Sequence, residues 1–217
     1  MRKTIGGLLT AGLLVPGVVG AEGLGADTGG ALSYSYVDGG LAFYPSVDRQ
    51  DLVGVNVTGS YAITPDIFAF GGFTYLTDDF DYTAAYGGGA YRFEVMPDFD
   101  VYGGLSLEYQ KVEGEDRWRV GGSYEWVDGE WRMRGGETRR VTWSEDDISL
   151  GIRGGARYLI NDAFEVGGQA RIVTGDWDYF GFNAYGQYHM TSNLGVVGEL
   201  DIWDGDLGII ARARYNF

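Results

Sequence analysis

From residue 33 onward, apolar and polar positions alternate in runs of about ten to thirteen residues, each closed by turn chemistry. In LVGVNVTGSYAI (52–63), Val53, Val55, Val57, Gly59, Tyr61 and Ile63 share one parity; Gly54, Asn56, Thr58 and Ser60 share the other. ISLGIRGGARYLI (148–160) sets Ile148, Leu150, Ile152, Ala156, Tyr158 and Ile160 against Ser149, Arg153 and Arg157. AFEVGGQARIVT (163–174) sets Phe164, Val166, Ala170 and Ile172 against Glu165, Gln169 and Arg171. Period two is the mark of a strand whose two faces meet different surroundings. The pattern predicts ten strands, near 33–44, 52–63, 67–77, 83–95, 100–112, 148–160, 163–174, 180–190, 194–203 and 207–217. The segment IFAFGGFTYLT (67–77) is apolar on both parities, so its faces stay unassigned.

The connections alternate in kind. ITPD, VMPDFD, LIND and MTSN are short, whereas PSVDRQD, TDDFD, the stretch after Val112, GDWDY and WDGD are longer or richer in acid. A soluble sandwich would also alternate apolar-in and polar-out. Strands of uniform bilayer-crossing length, with short turns at one end and long loops at the other, instead predict a transmembrane antiparallel up-and-down β-barrel. The barrel has to close, because lipid offers no partner to an open sheet edge. An even strand count puts both termini on the periplasmic side of the outer membrane. Tyr61, Phe93, Tyr158, Tyr188 and Tyr215 fall on the lipid parity near the short turns, as an interfacial aromatic girdle requires.

Composition adds to this picture. MRKTIGGLLTAGLLVPGVVGA has a basic start, an apolar run too short to span a bilayer, and a small-residue ending, the layout of a cleaved signal peptide over 1–21. The barrel domain would then be 22–217. The chain has no cysteine, so no disulfide stabilises the exported protein. Losing Arg2 and Lys3 from 16 basic residues leaves 14 against 31 acidic ones. That balance excludes nucleic acid as a partner.

With the polar parity inside, the inward acids are Asp38, Glu94, Glu108, Glu165, Glu199 and Asp201. The inward arginines are Arg92, Arg153, Arg157, Arg171, Arg212 and Arg214. Matching numbers of each sign predict a nearly neutral lumen, with the excess negative charge in the loops. Buried charges have to be paired, and small barrels fill their interiors with side chains, so a lumen plugged by ion pairs is expected. The alternative is a narrow porin-like channel whose opposed charges line a path for ions or small solutes.

Residues 113–147 interrupt the repeat. Asp128-Gly129 is a strong hairpin-turn signal, flanked by RWRVGGSYEWV and EWRMRGGETRRVTW. If both arms crossed the bilayer the barrel would have twelve strands, but Glu137 and Arg139 would then face lipid with Trp131 and Trp143. An extracellular hairpin is expected instead. Its Arg117, Trp118, Arg119, Trp126, Trp131, Arg132 and Arg134 combine guanidinium and indole, suited to phosphorylated surface lipid or glycan such as lipopolysaccharide. Alternatively, these arginines pair with acidic neighbouring loops. The aspartates of the other loops read as solvated acids, and no spacing of metal ligands occurs, so no metal or cofactor is expected. His189, the only histidine, falls beside a short turn and faces inward, where it supplies a hydrogen bond; no enzyme activity is expected.

YSYVDGGLAFY (34–44), GSYAITPDIFAFGGFTYL (59–76), FEVGGQARIV (164–173) and ARARYNF (211–217) together resemble the OmpA/OmpX-type superfamily of small outer-membrane β-barrel proteins of Gram-negative bacteria. The resemblance implies a monomer in outer-membrane lipid, recognised during biogenesis by the barrel-assembly machinery through Ile209, Ala211, Ala213, Tyr215 and Phe217. The long insertion after the fifth strand departs from the superfamily pattern.

Overall fold

A computed structural model describes residues 31–47 and 50–217, apart from the side chains of Ser46, Arg117, Arg119, Met133 and Arg134. The expected signal peptide lies outside the described residues. Twelve strands follow in chain order: β1 (Tyr36–Val47), β2 (Gln50–Ala62), β3 (Ile67–Thr77), β4 (Phe80–Met96), β5 (Phe99–Val120), β6 (Ser123–Val127), β7 (Glu130–Arg134), β8 (Glu137–Asn161), β9 (Phe164–Thr174), β10 (Tyr179–His189), β11 (Leu194–Trp203) and β12 (Asp206–Asn216). Ten of them close an antiparallel barrel, while β6 and β7 form a separate two-stranded sheet. Closure runs through β1 and β12, registered from Tyr36 opposite Asn216 to Phe43 opposite Ile209. No strand of the barrel therefore keeps an unpaired edge.

The outer face carries the apolar parity. Ile148 is 70% exposed, Leu41 66% and Leu105 64%. In water each such side chain would forgo about 1.5–3 kcal/mol of burial, and the exterior repeats the exposure on every barrel strand. Only lipid makes that surface stable, so this is a transmembrane barrel. Tyr61, Phe93, Tyr158, Tyr188 and Tyr215 all project outward at the turn end, where Tyr158 meets Phe99 and Tyr188 meets Phe164 at ring-centroid distances of 6.2 and 5.0 Å.

Three features differ from the sequence expectation. First, the loop end is tighter than its acidic segments suggest. Only Asp78 and Asp79 separate β3 from β4, and only Asp204 and Gly205, at φ 50° and 97°, separate β11 from β12. Positive φ at both positions matches the right-handed twist of the strands, so the ladder runs on to the turn. Second, residues 32–35 do not extend the first strand: Leu32 and Tyr34, each 2% exposed, are sealed inside the turn end. Third, β5 and β8 do not stop at the rim. They stay paired out to Val120 opposite Glu137, as a ribbon that carries the β6–β7 hairpin at its tip. Gly121, Gly135 and Gly136 at positive φ break the ladder between ribbon and tip.

The structure also settles the faces of β3. Phe68, Phe70, Thr74 and Leu76 turn inward and Ile67, Phe73 and Tyr75 outward. Phe68 packs at 4.6 Å from Tyr34 and 5.7 Å from Tyr102, so an apolar lumen position is explained by what fills the turn end.

Candidate functional site: the layered barrel interior

Side chains divide the lumen into three layers. At the turn end Leu32, Tyr34, Ala62, Phe68 and Ala90 form a small apolar core. At the loop end Tyr44, Val47, Leu52, Leu76, Tyr82 and Ile210 form a second, with Trp203 packed against it. Charged residues occupy the space between and reach down to the turn-end rim.

Each arginine of this interior has a named partner. Arg153 grips Glu108 with a fork, Nη2 lying 2.7 and 2.9 Å from its two carboxylate oxygens and Nε 3.1 Å from Oε1. Arg157 donates to both oxygens of Glu165 at 2.9 and 3.1 Å. Arg171 does the same to Asp201 at 2.8 and 3.0 Å. Arg214 donates to Asp38 at 2.6 and 2.9 Å, Arg212 pairs with Glu199, and Arg92 pairs with Asp100 at 3.2 Å. Planar forks on planar carboxylates are the geometry in which buried ion pairs recover most of their desolvation.

Neutral groups complete the set. Thr58 donates to Asp38, and Tyr44 and Tyr185 donate to Asp201 and Glu165, both at 2.7 Å. The Arg214 guanidinium lies 3.7 Å from the Tyr36 ring centroid and that of Arg153 3.9 Å from the Tyr86 centroid. Aromatic faces thus cover cation surface that carboxylates leave bare. Two tyrosines fit because glycine faces them. A Cβ on Gly72 would stand 2.6 Å from the Tyr86 ring, and one on Gly167 2.6 Å from that of Tyr185.

One sequence expectation needs correction. Glu94 has the inward parity, but its side chain is 41% exposed and sits 3.8 Å from Arg92. It holds the last in-register position of β4 before a shift, so it stands at the rim. Asp100, directly opposite it and 2% exposed, is the buried acid at this level and shares parity with Tyr102, Ser106 and Glu108 on β5. Arg214 pairs with Asp38 across the closing seam, where the two residues face each other in register. His189 faces inward with Nδ1 3.2 Å from the Gln187 amide and Nε2 3.7 Å from Glu165.

What remains open inside the barrel is a cavity of about 160 Å³, lined by the ion pairs and by residues of both apolar layers. Pockets that hold small organic ligands run to roughly 300–1,000 Å³.

On the ribbon, Trp126 and Trp131 sit opposite each other, their rings edge to face at 5.3 Å and both at least 60% exposed. Arg132 leans on Glu130 of its own hairpin at 3.5 Å, and Arg140 on Glu115 of the facing ribbon strand at 3.4 Å. Trp118 is also exposed. The side chains of Arg117, Arg119 and Arg134 lie outside the described residues. Ile209, Ala211, Ala213 and Tyr215 all face outward on β12, and the Phe217 amide donates to the Ser35 carbonyl at 3.1 Å.

The fold and the packed interior together define a transmembrane β-barrel protein. No protein-family model matches the sequence, and no curated protein matches it. Among solved structures the chain is similar to KdgM porin, at 12% identity over 84% of this chain and 99% of that one, with a TM-score of 0.45. It is similar to the outer membrane protease OmpT from Escherichia coli at 12% identity, 84% and 94% coverage and a TM-score of 0.46. It is also similar to Neisserial surface protein A, at 14% identity, 85% and 98% coverage and a TM-score of 0.41. Likeness at this level says nothing of what this chain binds.

Proposed function

We propose that this chain is an outer-membrane barrel with a structural and surface-interaction role in the cell envelope, and that its lumen does not conduct. The carrying observation is the interior itself: two apolar layers bracket a set of paired charges, and the cavity left is about 160 Å³. An ion crossing it would have to separate arginine forks from carboxylates in a poorly solvated space, at a cost of about 3–5 kcal/mol for each pair broken. The purified protein, reconstituted in planar bilayers, is expected to show no reproducible single-channel steps. Steps that persist across preparations would overturn the closed reading in favour of a narrow channel.

The surface role rests on the ribbon. It lifts exposed indoles clear of the barrel, with arginines along the same two arms, and none of the described arginine pairings there is buried. Such a surface suits the phosphates and sugars of lipopolysaccharide. Changing Arg117, Arg119, Arg132 and Arg134 to Ala should weaken lipopolysaccharide binding about tenfold, as exposed charge contacts contribute up to about 1 kcal/mol each. Binding equal to that of the parent protein would leave the ribbon without this role.

A further inference from the structure

Above the loop-end apolar layer lies a second cavity, of about 510 Å³, which the interior charges do not reach. Its walls are aromatic: Phe80, Tyr82, Trp143, Trp177, Tyr179 and Trp203. Trp203 is held between two of them, its ring 4.7 Å from Tyr82 and 6.0 Å from Tyr179. Asp178, Asp204 and Asp206 come from the two neighbouring loop-end connections, and no described lining residue is cationic. Tyr82, Gln110, Tyr179 and Trp203 line this vestibule and the lumen cavity alike, so they form its floor.

The floor holds the decisive group. Gln110 is only 3% exposed, and its Oε1 accepts from the Tyr82 hydroxyl at 3.0 Å, but its Nε2 has no hydrogen-bond partner among the described residues. On the wall, Gln50 Oε1 likewise has none. A buried amide donor left unpaired costs about 1–3 kcal/mol. Both residues line a space within the size range of ligand pockets.

We propose that this vestibule binds a small organic cation, a molecule bearing an ammonium group on a hydroxylated body. Three carboxylates repel anions. Among the described residues no group of acids is gathered as metal ligands. Rings and carboxylates together are what an ammonium group requires: π faces for its weakly hydrated surface and negative charge nearby. The acidic loops would also concentrate cations at the mouth. This site lies at the base of the ribbon, apart from its tip, and is independent of whether the lumen conducts.

The test uses the full chain in detergent micelles, with tryptophan fluorescence and calorimetry reading the binding of choline, glucosamine, glucose and glucuronate. Choline and glucosamine are expected to bind saturably, with glucosamine at least about tenfold tighter than glucose, since one cation–π and charge contact set is worth about 1–2 kcal/mol. Glucuronate is expected not to bind. The double substitution D178N/D204N, which preserves shape and suits the positive φ at position 204, should weaken glucosamine binding about tenfold and leave far-UV circular dichroism unchanged. W177A should weaken choline binding by a similar factor. Equal binding of glucose and glucosamine would make this a neutral-sugar site and overturn the proposal. So would the absence of saturable binding by any probe, or binding that D178N/D204N leaves unchanged.

Discussion

Replacing Asp38 with Leu should destabilise the barrel by about 3–5 kcal/mol, the cost of leaving a buried partner charge uncompensated. Asp38 is 1% exposed and holds Arg214 at 2.6 Å across the β1–β12 seam, with Arg212 at 3.5 Å and Thr58 donating from the other side. Without it Arg214 keeps only the Gln187 carbonyl at 2.8 Å and the Tyr36 and Tyr185 rings. Urea unfolding in phospholipid vesicles, followed by tryptophan fluorescence, reads the difference. The double variant D38L/R214M should recover most of the loss, because removing both charges removes the desolvation penalty along with the attraction. A single-variant loss under about 1 kcal/mol would show that water reaches the seam and that the interior is not sealed there.

The second large effect is steric. Gly72 and Gly167 lie beneath the rings of Tyr86 and Tyr185, each opposite its tyrosine in register. Valine at either position must displace a ring that is itself held, Tyr185 by its bond to Glu165 and Tyr86 by the Arg153 guanidinium. G72V and G167V should each cost about 1–3 kcal/mol by overpacking, and together nearly the sum, since the sites share no partner. Gly186 and Gly198 serve as controls: both face outward and a Cβ there meets nothing within 4 Å. G186V and G198V should leave the unfolding midpoint unmoved or raise it. Equal losses at all four positions would mean that glycine is needed for strand bending rather than for tyrosine packing.

The strand count and the inward parity could be read from the chain because a barrel wall has period two and two unlike solvents. Every residue is committed to lipid or lumen by its neighbours along the strand. That logic places Arg153, Arg157, Glu165, Arg171, Glu199, Asp201, Arg212 and Arg214 inside without any coordinates. It also reaches Asp100, whose parity matches that of Glu108, although its place beside a turn obscures the signal. For Glu94 it gives the parity but not the depth, since the residue stands at the strand end by the rim. It fails for β3, where both faces are apolar, since Phe68 meets Tyr34 rather than a charge.

The alternation of polarity therefore determined, by itself, an all-β transmembrane barrel, its face assignments outside β3, its closing pair of strands and the projecting segment at 113–147. Who meets whom inside was decided only by the tertiary structure. Pairings such as Arg171 with Asp201 and Arg212 with Asn56 join residues that sequence separation does not relate, through the stagger and curvature of a closed sheet. The inward fold of Leu32 and Tyr34, and the gathering of Trp143, Trp177 and Trp203 around one vestibule, have the same origin. Local pattern sets which side a residue faces; only closure sets what it finds there.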